Sequence, residues 1–210
     1  MLTVHHLGIS QSERIVWLCE ELAVPYELKK YDRDPVTRLA PAEYKALHPF
    51  GTAPVITDGK VVLSESGAII EYIIERHGKG RLAVRPDAPN YPDYLFWFHF
   101  ANGSMMPVQF AGAIKPSPDE TPRTRISRER CERTWTMVEQ RLGAAPYFAG
   151  SEFTAADIIM LFPLTTMRAF VPRDISGYPN VLAYLQRIGA RPAYQQALRK
   201  GDPQMTPFLS

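Results

Sequence analysis

The segment from Gly51 to Ile74 combines residue types that could hold a small anionic ligand. Pro54 directly precedes a short apolar run, and because proline donates no hydrogen bond to a sheet it is expected to begin a strand. The pair Glu65-Ser66 stands where a helical pattern starts. Unpaired N–H groups and a partial positive charge at a helix N-terminus can bind a carboxylate. We therefore predict half of a small-molecule site at this junction.

The elements around the junction follow from local signals. Asp58-Gly59 separates two β-prone runs and is among the strongest hairpin signals. After Ser66 the isoleucines recur at helical spacing, at Ile69, Ile70, Ile73 and Ile74. Taken singly, a proline often only marks a strand start, and a serine often only caps a helix. The order of proline, strand, turn, strand, acidic-hydroxyl pair and helix is what favours a ligand site.

This order of residues resembles the glutathione-binding half of cytosolic glutathione transferases. The resemblance implies a cis peptide bond before Pro54 and pairing of the Ala53 backbone with the cysteinyl part of glutathione. It also implies that Glu65 and Ser66 hold the γ-glutamyl end. The segments HHLGISQSERIVWLCEEL and FWFHFANGSMMP are most similar to a fungal and bacterial branch of the family.

Two positions depart from the usual pattern of the family. Thr52 stands where many members carry Lys or Gln to meet the glycine carboxylate of glutathione. His48 stands where an Asn is often seen before the proline. The resemblance therefore implies an altered contact with the glycine end of glutathione, made by Thr52 or by His48. The alternative for His48 is an ordinary surface residue beside a proline turn.

Composition limits the classes of partner. The chain has 210 residues, 45% of them hydrophobic, and its 24 basic and 22 acidic residues leave a net charge of +2. This near-balance argues against nucleic acid or an anionic membrane as the main partner. The sequence has no apolar run of the ~18 residues that a membrane span needs, and its first residues do not resemble a signal peptide. We expect a cytoplasmic protein.

The two cysteines indicate neither a metal site nor dithiol chemistry. Cys19 and Cys131 lack metal-ligand spacing, and the sequence contains no Cys-x-x-Cys. Cys19 lies in the apolar stripe of a predicted helix, where a cysteine usually behaves as a small buried hydrophobe. We predict no bound metal.

The N-terminal part predicts an α/β domain. Residues 2–7 alternate like a strand, residues 12–22 have helical periodicity, and residues 26–31 alternate again, which gives a βαβ unit with parallel strands. A short helix over residues 42–47 and the hairpin and helix described above complete the order βαβ–αββα. This is the order of a thioredoxin-like domain with a mixed four-stranded sheet, and we assign it to residues 1–78.

The remainder predicts an all-α domain. Residues 79–92 contain several prolines and read as a linker, and residues 93–210 contain helical patterns without a convincing strand pair. Pro107 is expected to kink the first of these helices. Thr154 and Asp157 have the spacing of a capping box at the start of a strongly apolar helix, where their role is in folding. The two domains together make the glutathione transferase fold.

The reactive residues should lie where the first strand meets the first helix. Transfer of glutathione needs its thiolate, and lowering a thiol pKa by about two units requires roughly 2.7 kcal/mol of preferential thiolate stabilisation. Between Gly8 and Arg14 there is no Tyr or Cys, so the resemblance is to the serine-type transferases. It implies that the Ser10 hydroxyl contacts the sulfur, with Arg14 as its companion catalytic residue. Ser12 is the less favoured candidate and is better placed as a helix N-cap; the alternative is that both serines are plain loop and cap residues.

A hydrophobic substrate pocket is expected between the domains, formed by Leu7, Met105, Met106 and Phe110. Methionine adapts its shape to varied apolar molecules, although a plain core role for these residues is an equal alternative. Phe50 resembles an aromatic residue that some relatives insert into the partner subunit. Asn102 falls where an acidic residue of a relative reaches across the dimer, and we group it with the glutathione-binding residues.

The sequence therefore predicts a homodimeric glutathione transferase that activates the glutathione thiolate for conjugation to an apolar electrophile. Glutathione-dependent peroxide reduction on the same site is an alternative activity. A second alternative is a ligand carrier or protein-interaction module of the same fold with little turnover, because fold alone does not settle function. The natural electrophile cannot be read from the sequence.

Overall fold

The computed structural model describes residues 1–112 and 121–210, which form two compact units. The first unit contains Met1–Ala83 together with Gly189–Pro207. The second contains Val84–Ile188 together with Phe208–Ser210. The first unit is therefore built from two separate parts of the chain.

A mixed four-stranded sheet forms the centre of the first unit. Its strands are β1 (Leu2–Leu7), β2 (Glu27–Tyr31), β3 (Val55–Asp58) and β4 (Val61–Ser64), in the order β2-β1-β3-β4. β1 runs parallel to β2 and antiparallel to β3, and β3 pairs with β4 through the predicted Asp58-Gly59 hairpin. In this register Val4 lies between Leu28 and Ile56. The predicted mixed four-stranded sheet is confirmed.

Four helices belong to the first unit: α1 (Glu13–Leu22), α2 (Ala42–Lys45), α3 (Ser66–Arg76) and α9 (Pro192–Gly201). The apolar faces of α1 and α3 are buried at Ile15, Leu18, Ile69 and Ile73. Cys19 is fully buried in the same stripe, as predicted for a small hydrophobe. Burial raises the pKa of its thiol, which opposes formation of a reactive thiolate.

The helix α9 packs against α1 rather than with the other late helices. The Arg191 guanidinium binds both carboxylate oxygens of Glu21, at 2.6 and 2.8 Å, and Trp17 meets Tyr194 edge to face. The sequence prediction places residues 189–207 in the helical domain that begins at residue 93. In the structure these residues pack with the first unit. The sequence does not indicate this, because long-range polar and aromatic contacts leave no local pattern.

The described part of the second unit is helical. Its helices are α4 (Tyr91–Phe100), a π-helical turn (Ala101–Met105), α5 (Met106–Gly112), α6 (Pro122–Ala144), α7 (Ala155–Leu164), a 3₁₀ turn (Thr166–Ala169) and α8 (Pro179–Gly189). The π-helical turn lies immediately before Met106-Pro107, where the sequence predicts a kink. A π turn is one way for a helix to accommodate a proline that lacks an N–H donor.

The predicted capping box at the start of α7 is confirmed. Thr154 Oγ1 accepts from the Ala156 N–H at 3.3 Å, and Asp157 Oδ2 accepts from the Thr154 N–H at 2.9 Å. Every residue of α7 is buried, so this helix forms the core of the second unit.

Three further observations apply to residues 1–112 and 121–210. No helix there combines the length and the apolar character needed to cross a membrane. No group of three or more His, Cys, Asp or Glu side chains is placed to hold a metal ion. Cys19 and Cys131 are both buried and free.

Candidate active site

The loop between β1 and α1 carries the predicted reactive residues in a fixed backbone conformation. Ile9 has a φ of 50°, in the left-handed region that a β-branched residue rarely adopts. Asp202 Oδ1 accepts its N–H at 3.1 Å, and the Arg33 guanidinium donates to the Ile9 and Gly8 carbonyls at 3.1 and 2.8 Å. The strained conformation is thus held from both sides by residues outside the loop.

The two serine hydroxyls of the loop lie in contact with each other. Ser10 Oγ and Ser12 Oγ are 2.8 Å apart, and the Ser12 N–H donates to Ser10 Oγ at 3.2 Å. Ser10 Oγ also donates to the Leu7 carbonyl at 2.6 Å. Ser12 is completely buried, whereas 6% of Ser10 is exposed. Of the two, Ser10 is therefore the one nearer to solvent.

Ser12 occupies the predicted N-cap position of α1 but does not cap the helix through its side chain. Ser12 has helical dihedrals, φ −68° and ψ −16°, and its side chain makes no capping hydrogen bond. Its hydroxyl instead turns back to β1, where it accepts from the Leu7 N–H at 3.2 Å and lies 2.9 Å from His6 Nδ1. A buried imidazole on the preceding strand competes for this hydroxyl, and the sequence pattern does not show that competitor.

His6 connects Ser12 to the end of α9. Its Nε2 lies 3.0 Å from Asp202 Oδ2, although the ring nitrogen does not point straight at the oxygen. Gly201 allows this approach, because a Cβ there would lie 3.1 Å from His6 Nε2. Burial would raise the pKa of Asp202, but His6, the Ile9 N–H and Lys30 together hold it below its usual value.

Arg14 joins the reactive loop to the start of α3. Its guanidinium is completely buried and donates to Gln11 Oε1 at 2.7 Å and to Ser66 Oγ at 3.3 Å. The Ser66 hydroxyl in turn donates to Gln11 Oε1 at 3.2 Å. Burial lowers the pKa of Arg14 to about 9, against the opposing charges of Glu13 and Glu65. Arg14 is thus buried against Gln11 and Ser66, and its catalytic role stays a prediction.

The residues expected around glutathione lie on either side of the β3–β4 hairpin. The Ala53–Pro54 peptide bond is cis, as the resemblance implies, and the Ser64 hydroxyl donates to the Pro54 carbonyl at 3.0 Å. The β3–β4 ladder starts after Pro54, where Val55 lies opposite Ser64. Pro54 is thereby placed beside the strand end that leads into Glu65 and Ser66.

Glu65 adopts an unusual conformation directly before α3. Its φ of 78° is positive, which is rare for a residue other than glycine. Ser66 is the first residue of α3, so the first-turn N–H groups of this helix lie beside the pair. The predicted strand-to-helix junction is therefore formed, with Ser66 held by Arg14 and Gln11.

The residues predicted for the glycine end are on the surface of the first unit. Thr52 is exposed, and His48 Nδ1 accepts from the Phe50 N–H at 3.2 Å. Phe50 is 65% exposed. Asn102 lies in the π-helical turn of the second unit. The ligand contacts of Thr52, His48 and Asn102 stay predictions.

Three of the four predicted pocket residues are part of a core. Leu7 packs with Tyr31, Tyr44 and Val55 in the first unit. Met105 is fully buried, and Met106 packs with Phe162 and Met167 in the second unit. Phe110 is the exception, with 53% of its surface exposed. These positions support the core alternative for the leucine and both methionines.

Comparison with known proteins agrees with this geometry. Residues 10–76 match the family model of the glutathione S-transferase N-terminal domain, and residues 118–187 match that of the C-terminal domain. Glutathione S-transferase 3 of Schizosaccharomyces pombe is 32% identical over 95% of this chain and 88% of its own. This identity and coverage decide the family. The chain belongs to the glutathione S-transferase family.

Solved structures of other family members extend this result. A glutathione S-transferase of Actinobacillus pleuropneumoniae has a TM-score of 0.87 and 33% identity, covering 100% of this chain and 99% of its own. A sphingomonad glutathione S-transferase, solved with glutathione, has a TM-score of 0.73 and 23% identity, covering 95% and 98%. At that identity the likeness shows the fold. The predicted family and fold are confirmed, and the chain is a transferase.

Sequence reasoning gave no role to three residues that contact the predicted site residues or their loop: His6, Gln11 and Asp202. His6 and Gln11 lie inside the segment that carries the family resemblance. His6 was interpreted only as part of a strand and Gln11 only as a loop residue, so neither was assigned a function. Asp202 lies after the last helix, and no local pattern connects it with Ile9 or His6. Only the packing of α9 against α1 places it there.

Proposed function

We propose that Ser10 is the hydrogen-bond donor that stabilises the glutathione thiolate in this transferase. The observation that carries the proposal is the position of Ser10, which is 6% exposed and lies three residues before the start of α1, whereas Ser12 is completely buried. The neighbouring Gln11 contacts Ser66 at the start of α3, which brings the two predicted parts of the site onto one face of the first unit.

Glutathione is proposed to bind along this face through the residues named in the sequence analysis. The Ala53 backbone precedes the β3–β4 ladder and can pair with the cysteinyl part of the tripeptide. The γ-glutamyl carboxylate would accept from Ser66 and the N-terminus of α3, where the helix dipole favours a negative charge. Thr52 and His48 are the candidates for the glycine end.

The proposed chemistry is nucleophilic attack by the bound thiolate on an apolar electrophile. The thiol proton leaves to solvent, and the sulfur electron pair forms a new sulfur–carbon bond, with the electrophile taking up the charge or releasing a leaving group. The protein supplies thiolate stabilisation of about two pKa units, roughly 2.7 kcal/mol. A hydroxyl donor beside a helix N-terminus can provide a free energy of that size.

The Ser10 hydroxyl must change its acceptor to reach a sulfur. It donates to the Leu7 carbonyl at 2.6 Å, and this carbonyl can also accept from Ser12 Oγ, which lies 3.2 Å away. A rotation about the Ser10 Cα–Cβ or Cβ–Oγ bond turns the Ser10 proton away from this carbonyl and toward a bound sulfur. The change exchanges one acceptor for a charged one, which forms the stronger hydrogen bond.

The test is the pH titration of thiolate absorbance of bound glutathione, on the wild type and on Ser10→Ala and Ser10→Thr. We expect Ser10→Ala to raise the bound-thiol pKa by about 1–2 units and to lower kcat/KM on the order of tenfold to hundredfold. Ser10→Thr keeps a hydroxyl and should retain much of the shift.

Each contrary result has its own meaning. An unchanged thiol pKa in Ser10→Ala would remove Ser10 from the mechanism. Binding of glutathione by the wild type with no shift at all would favour the carrier alternative. Turnover of a hydroperoxide faster than of an apolar electrophile would favour the peroxidase alternative.

A homodimer and a cytoplasmic location are the remaining parts of the proposal. Phe50 is 65% exposed, so its ring is accessible for the contact with a partner subunit that the family resemblance implies. Two free cysteines fit a reducing compartment. Sedimentation velocity tests the dimer, and a monomer would exclude a role for Phe50 or Asn102 across an interface.

A further inference from the structure

We infer that Asp202 and His6 are positioning residues for Ser10, so that the segment after α9 takes part in thiolate activation. The inference rests on the proposed role of Ser10. It is carried by three consecutive contacts: Asp202 Oδ2 to His6 Nε2 at 3.0 Å, His6 Nδ1 to Ser12 Oγ at 2.9 Å, and Ser12 Oγ to Ser10 Oγ at 2.8 Å.

The members of this chain of contacts are buried, so their hydrogen bonds are not exchanged freely with water. His6 is 1% exposed and Ser12 is fully buried. The Asp202 side chain is 9% exposed. Hydrogen bonds in such a low-dielectric environment strengthen one another, and the orientation of one member restricts the next.

The imidazole of His6 determines which group accepts the Ser12 hydroxyl proton. Ser12 Oγ accepts from the Leu7 N–H, and its single proton has three possible acceptors: His6 Nδ1, Ser10 Oγ and the Leu7 carbonyl. With the Asp202 carboxylate facing Nε2, a ring proton is held there and Nδ1 is left to accept from Ser12. Ser12 then does not donate to Ser10, and the Ser10 proton is the one that can turn from the Leu7 carbonyl to a bound sulfur.

Asp202 also fixes the backbone from which Ser10 projects. Its Oδ1 accepts from the N–H of Ile9, the residue in the left-handed conformation. One carboxylate therefore holds both the residue before Ser10 and the imidazole behind Ser12. A donor that is already oriented costs no reorganisation when the thiolate forms, which is the basis of electrostatic preorganisation.

Other titratable groups surround this chain and bear on any measurement of its pH dependence. Glu13 and Tyr194 border a small cavity together with His6 and Asp202. Lys30, Tyr31 and Asp32 border a second cavity of about 340 Å³ that His6 and Asp202 also reach. Burial acts to raise the pKa of Asp202. The contacts with His6 and with the Ile9 N–H, and the charge of Lys30, act to lower it and prevail.

The test is Asp202→Asn, measured in the wild-type and in the Ser10→Ala background. The amide keeps an oxygen for the Ile9 N–H and loses the charge that faces His6. We expect the bound-thiol pKa to rise by about half a unit and kcat/KM to fall roughly fivefold, mostly through kcat. In the Ser10→Ala background the same substitution should have no further effect, because a positioning residue acts only through the residue it positions.

His6→Asn is the second variant, and it keeps the inference testable if Asp202→Asn does not fold. We expect the same rise of the bound-thiol pKa, of about half a unit, since the link from Asp202 to Ser12 is lost. His5→Asn is the matched control: His5 neighbours His6 on β1, is also buried, and contacts Tyr31 and Thr57 instead of the serines. It should lower stability without moving the thiol pKa.

Arg191→Gln is the control for a general loosening of α9. It removes the contact with Glu21 at the start of the helix and leaves Asp202 in place. An Asp202→Asn effect that is equal in both backgrounds, or one that Arg191→Gln reproduces, would overturn the inference. Failure of Ser10→Ala alone to shift the thiol pKa would instead overturn the proposed function.

Discussion

Two largely buried aspartates, Asp157 in the second unit and Asp202 in the first, hold loops in similar ways and differ in their partners. Asp157 accepts from the Phe148 and Thr154 N–H groups, at 3.0 and 2.9 Å, and from the Tyr184 hydroxyl at 3.3 Å. Asp202 accepts from the Ile9 N–H and faces the ionisable ring of His6. One carboxylate has only neutral partners among these contacts, and the other has a basic one.

The pKa values of the two carboxyls move in opposite directions for this reason. Burial raises the pKa of Asp157 to about 6, because its hydrogen bonds from neutral donors only partly offset desolvation. Burial acts on Asp202 as well, but His6, Ile9 and Lys30 outweigh it and lower its pKa. Asp157 is fully buried in the capping box of α7. Asp202 borders a cavity next to the loop between β1 and α1.

Among the changes that test this comparison, we expect Asp157→Ala to have the largest effect, a loss of stability. The substitution leaves two buried N–H groups and the Tyr184 hydroxyl without their acceptor. Because each unsatisfied buried donor costs on the order of 1–3 kcal/mol, we expect a loss of about 3–5 kcal/mol in the free energy of unfolding. Urea unfolding measures it.

Asp174→Ala in the same unit is the matched control for Asp157→Ala. Asp174 is an exposed aspartate that accepts from the Ser176 N–H at 2.9 Å. It should change stability much less than Asp157→Ala, and the bound-thiol pKa should stay unchanged in both variants. A loss for Asp157→Ala no greater than that of the control would show that the buried network contributes little.

An effect of intermediate size is expected in the pH dependence of stability. Asp157 has a folded-state pKa of about 6, above its unfolded value of 3.8, so its contribution is complete below pH 3.8 and is lost as the pH rises to about 6. Asp202 has a lowered folded-state pKa, so its contribution is present above pH 3.8 and is lost as the pH falls through the folded value.

Unfolding of the wild type, Asp157→Asn and Asp202→Asn from pH 3 to pH 7 measures both contributions. The difference between wild type and Asp157→Asn should decrease by about 2 kcal/mol between pH 4 and pH 6. The difference between wild type and Asp202→Asn should instead increase with pH, mainly below pH 4. Two curves of the same sign would contradict the assignment of neutral and basic partners.

The smallest effect is expected for Gly201→Ala, which tests how closely α9 approaches His6. A Cβ at this position would lie 3.1 Å from His6 Nε2 and 3.2 Å from Cε1, so the ring must shift by a few tenths of an ångström. We expect a rise of the bound-thiol pKa by about 0.2–0.3 units and a stability change below about 1 kcal/mol, since crowding offsets the helix propensity gained. Gly177→Ala, where a Cβ meets open space, should leave the thiol pKa unchanged. An equal shift in both variants would argue against a tight contact at His6.

The elements of the fold were predictable because their signals are local. Alternation located the strands of the first unit, the Asp58-Gly59 turn located the hairpin, and the Thr154–Asp157 spacing located the start of α7. The order of elements along the chain then predicted a mixed four-stranded sheet. The cis bond at Pro54 came from the family resemblance, since the residues around a proline do not specify its isomer.

The connections inside the candidate site were not predictable, because they depend on which surfaces meet. Ser12 has the residue type and position of an N-cap, yet it bonds to His6 on a strand that precedes it. The sequence predicts Arg14 as a catalytic companion of Ser10, and the structure places its buried guanidinium against Gln11 and Ser66. In both cases a partner from another element competes with the local role.

The sequence by itself therefore determined most of the secondary structure, the mixed character of the sheet and the loop that carries Ser10. Periodicity, turn residues and caps act over a few positions and survive in any arrangement of the elements. Only the tertiary structure decided that Asp202 lies against His6 and Ile9, because that contact depends on the docking of α9 onto α1. The packing of α9 against α1 depends on many weak contacts between residues that are far apart in the sequence, so no short segment of the sequence predicts it.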